Sequence, residues 1–96
     1  MEQSYGLNHP NVATALNNLA QLLEVSNRLD EAEPLMRRVV EIFLQFTIAI
    51  GHEHRHSRAA IGNYAGLLQQ MGRSEQEIQA QLTAVGRPYG MQLGVE

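Results

Sequence analysis

Apolar residues along the first part of the chain keep to one helical face. Val12, Ala15, Leu16, Leu19, Leu22 and Leu23 fall at i, i+3, i+4 and i+7 intervals, the spacing of an amphipathic helix. Asn8 ahead of His9-Pro10 offers an N-cap, and proline is accepted in a first turn, where its missing N–H is no loss. Ser26-Asn27-Arg28 interrupts the pattern, and Asn27 can take the left-handed conformation that closes a helix. A first helix is therefore expected over about residues 9–26. A second, over about 30–50, opens near Asp30 with Glu31 and Glu33 in a first turn where the helix dipole favours acids. Pro34 stands at the edge of that turn, where it is tolerated.

The same pattern then returns. Ile61, Tyr64, Ala65, Leu67, Leu68 and Met71 form a second apolar stripe, predicting a helix over about 55–71 that Gly72 closes. Ser74-Glu75-Gln76-Glu77 reads as a capping box opening a last helix over about 75–85, whose stripe is only Ile78, Leu82 and Val85. Gly86-Arg87-Pro88-Tyr89-Gly90 predicts a terminating loop, with residues 87–96 as a tail. No segment alternates with period two. The fold class expected is all-α, built from two helical hairpins.

Those hairpins are copies of one unit. At an offset of 45, residues 6–41 align with 51–86, and nine positions are identical: Gly6/Gly51, His9/His54, Ala15/Ala60, Asn18/Asn63, Ala20/Ala65, Leu22/Leu67, Leu23/Leu68, Arg28/Arg73 and Val40/Val85. Chance at ordinary composition gives about two. Seven of the nine lie in the front half of the unit, so the back half has drifted. The units are expected over residues 1–51 and 52–86.

Leu16-Asn17-Asn18-Leu19-Ala20-Gln21-Leu22-Leu23 followed by Arg28-Leu29-Asp30-Glu31-Ala32-Glu33-Pro34-Leu35 resembles a tetratricopeptide repeat. More narrowly, Gly6, His9, Pro10 and Val12 are similar to the opening of the kinesin light chain type of repeat. The second unit departs from that pattern at Arg55, Ser57 and Glu77. The resemblance implies a short right-handed α-solenoid whose first helices (A helices) line a concave groove for peptide segments of partner proteins. Carried over by position, the groove would be lined by Thr14, Asn17, Asn18, Gln21 and Glu24, and by Ala59, Gly62, Asn63, Gly66 and Gln69. Asn17, Asn18, Gln21, Glu24, Asn63 and Gln69 are the partner-binding candidates. The paired Asn18 and Asn63 amides can grip an extended backbone or tie neighbouring helices, since each offers a donor and an acceptor. Gly62 and Gly66, four apart, invite close approach of a helix or peptide.

The second helix (the B helix of unit one) is unusually long and apolar. Val39, Ile42, Phe43, Phe46 and Ile50 continue the face that packs on the first helix, while Val40, Leu44 and Ile48 form another stripe. A helix apolar on all sides is buried on all sides, and two short hairpins offer nothing to cover that second stripe. Val40, Phe43, Leu44, Phe46 and Ile48 are therefore an alternative assembly surface, meeting a second copy in a homodimer or the neighbouring repeats of a longer array. A β-strand reading of this run fails for want of a partner strand.

Composition narrows the chemistry. In 96 residues there is room for one domain. With no Cys there are no disulfides, no thiol nucleophile and no cysteine zinc site. All seven basic residues are Arg, and ten acidic ones leave a net charge of −3, against a nucleic-acid binder. No serine lies in a nucleophile elbow, and no Lys follows a glycine-rich turn. An apolar run of ten residues, 42–51, falls short of the roughly 20 a membrane span needs. The opening Met-Glu-Gln-Ser-Tyr has no signal-peptide character, so a cytoplasmic location is expected. His52, His54 and His56 carry the other alternative, a small metal-binding protein, since His52 and His56 are i, i+4 neighbours on a helix. The blander reading puts His54 where the repeat has its opening histidine, matching His9. No cofactor and no catalytic residues are expected.

Overall fold

The computed structural model describes residues 10–51 and 56–90. Four helices follow one another: α1 (Pro10–Val25), α2 (Leu29–Ile50), α3 (Ser57–Gln70) and α4 (Glu75–Gly86), with a 3-10 turn at Arg87–Tyr89. Among the described residues there is no strand, in agreement with the all-α expectation. The Asn8 cap, His9, His52, His54 and residues 91–96 lie outside the described residues.

Local chemistry sets the helix ends. Asn27 adopts φ 61° and Gly72 φ 88°, 45 residues apart, and both close the A helix of their unit in the same way. The Arg28 and Arg73 amides reach back to the Leu23 and Leu68 carbonyls, while Asn27 and Gly72 donate to Glu24 and Gln69. This is the Schellman arrangement, which satisfies carbonyls the helix cannot. Ser74 forms the expected capping box: its Oγ accepts from the Glu77 amide at 3.1 Å, and its own N–H donates to the Glu77 carboxylate at 2.8 Å. α2 begins one residue earlier than expected, at Leu29. Glu33 and Pro34 therefore fall in its second turn, and Glu33 serves a different purpose described below.

α2 is the spine. Its 22 residues rise about 33 Å at helical pitch, and α1, α3, α4 and the 3-10 turn all pack on it. Met36, Val39, Val40, Ile42, Phe43 and Leu44 are buried there, joined by Ala13 and Ala20 of α1, Tyr64, Leu67 and Leu68 of α3, and Leu82 and Val85 of α4. The α1–α2 contact is far more extensive than α3–α4, and α4 is short.

Two expectations change. The stripe Val40–Leu44 is not uncovered: α4 and the 3-10 turn pack on α2, Val40, Phe43 and Leu44 are buried, and Phe46 is half-buried. Of the assembly candidates only Ile48 is exposed. Nor do residues 87–89 form a free tail. Tyr89 packs on the core, and its hydroxyl accepts a hydrogen bond from Gln45 Nε2 at 3.0 Å.

The apolar stripe of α1 also divides. Ala13 and Ala20, small enough to let α2 approach, are fully buried, while Val12, Leu16 and Leu23 pack partly against the core. Ala15, Leu19 and Leu22 face outward. Helical spacing placed all of these on one broad face; packing splits that face in two.

Candidate functional site

The two A helices do not close on each other. Between α1 and α3 lies a cavity of about 200 Å³. α1 supplies Ala13, Thr14 and Asn17; α3 and its N-terminal residue supply His56, Ala59, Ala60 and Asn63; and Val39 and Phe43 of α2 form the floor. Ala13 and Ala60 contribute only methyl groups to the lining beside Phe43. No Asp, Glu, Lys or Arg lines it, and His56 is its one titratable group.

Its polar rim is made of short neutral side chains. The Thr14 hydroxyl donates to the Pro10 carbonyl at 3.2 Å, which leaves its oxygen able to accept. Asn17 is half-buried and Asn63 exposed. Among the described residues neither amide ties the two helices together through a side-chain hydrogen bond. Each can therefore offer a donor and an acceptor to a guest lying over an apolar floor.

Away from the cavity lining, α3 is tied to its neighbours by a buried hydroxyl. Tyr64, fully buried on α3, donates its phenolic hydrogen to Glu33 Oε2 at 2.6 Å and accepts from Gln81 Nε2 at 2.9 Å. One hydroxyl thus joins α2, α3 and α4. Burial and the Glu33 hydrogen bond push the Tyr64 hydroxyl well above the ordinary phenol range, so it stays protonated and remains a donor. Arg37 stands 3.7 Å from the other Glu33 oxygen.

Of the residues predicted from the sequence, Thr14, Asn17, Ala59 and Asn63 meet in the cavity. Asn18, Gln21 and Gln69 are exposed outside it, and Glu24 is half-buried. Desolvation raises the Glu24 carboxyl above its ordinary value. No helix among the described residues comes close at Gly62 or Gly66, where an added Cβ would meet nothing within 4 Å. Helical spacing missed the floor, because Val39 read as core and Phe43 as part of an assembly surface. It also missed His56 at the rim, grouped by spacing with His52 and His54. Among the described residues no cluster of His, Asp and Glu could hold a metal ion, and no helix is long and apolar enough to cross a membrane.

A tetratricopeptide repeat family model matches residues 1–45. That stretch contains α1 and most of α2, and it is similar to a tetratricopeptide repeat. Such repeats generally mediate protein–protein interaction. No curated protein and no solved structure gave a match.

Proposed function

We propose that this chain is a non-catalytic protein-interaction module, of the kinesin light chain-like kind, that holds an extended peptide segment of a partner protein in the cleft between α1 and α3. Its second hairpin is a diverged copy of the first, stacked to continue the same concave surface. The observation that carries this reading is the cavity itself: an apolar floor of Val39 and Phe43 beneath a rim of Asn17, Asn63, Thr14 and His56. The rim amides pair with the peptide backbone, and one apolar side chain of the guest descends onto the floor. A site lined without charge favours an internal segment over a terminal carboxylate, which needs a cationic partner.

Selection of short random peptides on the immobilised chain tests this. Binders are expected to share an apolar anchor residue and to lose at least tenfold in affinity, about 1.4 kcal/mol, against an Asn17→Ala/Asn63→Ala variant whose circular dichroism matches the parent. Binders indifferent to that double substitution, or to Ala59→Leu, would place the peptide elsewhere and defeat the proposal.

A further inference from the structure

The internal repeat makes one side of α1 conspicuous. At the 45-residue offset, Ala15, Leu19 and Leu22 correspond to Ala60, Tyr64 and Leu67 of α3. On α3 these positions are buried, Ala60 at 4% exposure and Tyr64 and Leu67 at 0%. The helix lying along them is α2. The Tyr64 hydroxyl donates to Glu33, while Val39 and Phe43 stand beside Ala60 in the cavity lining. Glu33 thus lies near Tyr64, and the later Val39 and Phe43 near the earlier Ala60, so α2 and α3 run antiparallel. On α1 the matching positions are open: Ala15 is exposed, Leu19 is 46% exposed and Leu22 63%. Its own partner, α2, takes a different side of α1, that of Ala13 and Ala20.

We infer that this side of α1 docks an amphipathic helix of another protein, laid antiparallel along it as α2 lies along α3. The α2–α3 interface is the template, and the differences between α1 and α3 define the guest. Ala15, like Ala60, carries only a methyl group and admits close approach. Leu19 has no hydroxyl where Tyr64 has one, so a guest carboxylate placed as Glu33 is would be buried without a partner. The guest therefore carries an apolar residue at that position, within a stripe spaced i, i+3 or i+4, and i+7. Glu24, the one ionisable residue of α1, lies half a turn from Ala15 at 100° per residue. The docking surface is accordingly neutral, and apolar burial rather than charge holds the guest. Neither α2 nor α4 of a second copy can supply this helix. Their stripes are already buried, at Met36, Val39, Val40 and Leu44 in α2 and at Leu82 and Val85 in α4.

The surface is separate from the cleft, since Thr14 and Asn17 point to another side of α1. The inference therefore does not rest on the peptide-binding reading.

Fluorescence anisotropy with a labelled 22-residue peptide, the α2 sequence with Glu33→Leu, tests the docking surface on the intact chain. The peptide is expected to bind saturably, at least about tenfold more tightly than the unchanged α2 sequence. Its affinity is expected to change less than about twofold between roughly 50 and 500 mM salt. Leu22→Glu in the chain is expected to weaken binding at least about tenfold with an unchanged circular dichroism spectrum, since Leu22 is solvent-facing and Glu favours helix. Absence of saturable binding, equal affinity for the two peptides, or binding that survives Leu22→Glu would each overturn the inference. So would a parent chain that sediments as a dimer which Leu22→Glu dissolves, because the face would then belong to a second copy.

Discussion

Tyr64 donates its phenolic hydrogen to Glu33 across 2.6 Å, fixing α3 against α2 from a position where neither sequence neighbourhood suggests a partner. The Gln81 amide completes the arrangement on the same oxygen. Removing that oxygen in Tyr64→Phe leaves a mostly buried carboxylate and the Gln81 amide without their shared partner. The expected loss is about 1–3 kcal/mol. At about 4–8 °C per kcal/mol for a domain of this size, thermal unfolding reads it easily. A Tm unchanged within a degree would mean that the hydroxyl contributes nothing.

Glu24 gives the clearest pH signature. Its folded-state carboxyl is raised by desolvation, so folding favours the protonated form. The associated stability is fully present below the unfolded value and is lost as pH rises through the raised folded value. Glu24→Gln is thus expected to unfold at higher urea concentration than the parent near neutral pH. The difference should vanish in acid, below the ordinary glutamate range. A gap that stays constant with pH would trace the effect to something other than ionisation.

The Ser74 capping box is an independent local test. Ser74→Ala removes the acceptor for the Glu77 amide, at a cost of about 0.5–2 kcal/mol. Amide exchange should accelerate first in α4, the least extensively packed helix, before α1 or α2 respond. Uniform acceleration across all four helices would show that α4 does not open by itself.

Asn27, at φ 61°, predicts a substitution series. Asn27→Gly should be neutral or slightly favourable. Asn27→Val, with its branched side chain in the left-handed region, should lose about 1–2 kcal/mol. Equal denaturation midpoints for the two would argue that the turn relaxes freely.

Much of this architecture was legible in residue spacing. Asn27, Gly72 and Ser74 marked helix ends because each has a conformational or capping role no neighbour shares. What stayed hidden depended on packing between elements. Leu19 and Leu22 read as core because periodicity finds apolar faces but does not say which face meets another helix. Ala13 and Ala20 decided it, since small side chains admit α2 closest, yet alanine is a weak hydrophobic signal. Val40 and Leu44 seemed to need outside cover because neither the approach of α4 nor the anchoring of Tyr89 through Gln45 can be inferred from local pattern. The cleft was half visible: Thr14, Asn17, Ala59 and Asn63 followed from position in the repeat, while its floor belonged to a helix read for burial and assembly.

The shared spine has a bearing on how the molecule comes apart. Ordinary repeat arrays can unzip one unit at a time, because each unit touches only its neighbours. Here α1, α3, α4 and the closing 3-10 turn all depend on one long helix, so neither hairpin has a private interior to retain once that helix loosens. Melting should run as a single all-or-none step, a mechanical unity that two successive hairpins would not by themselves suggest.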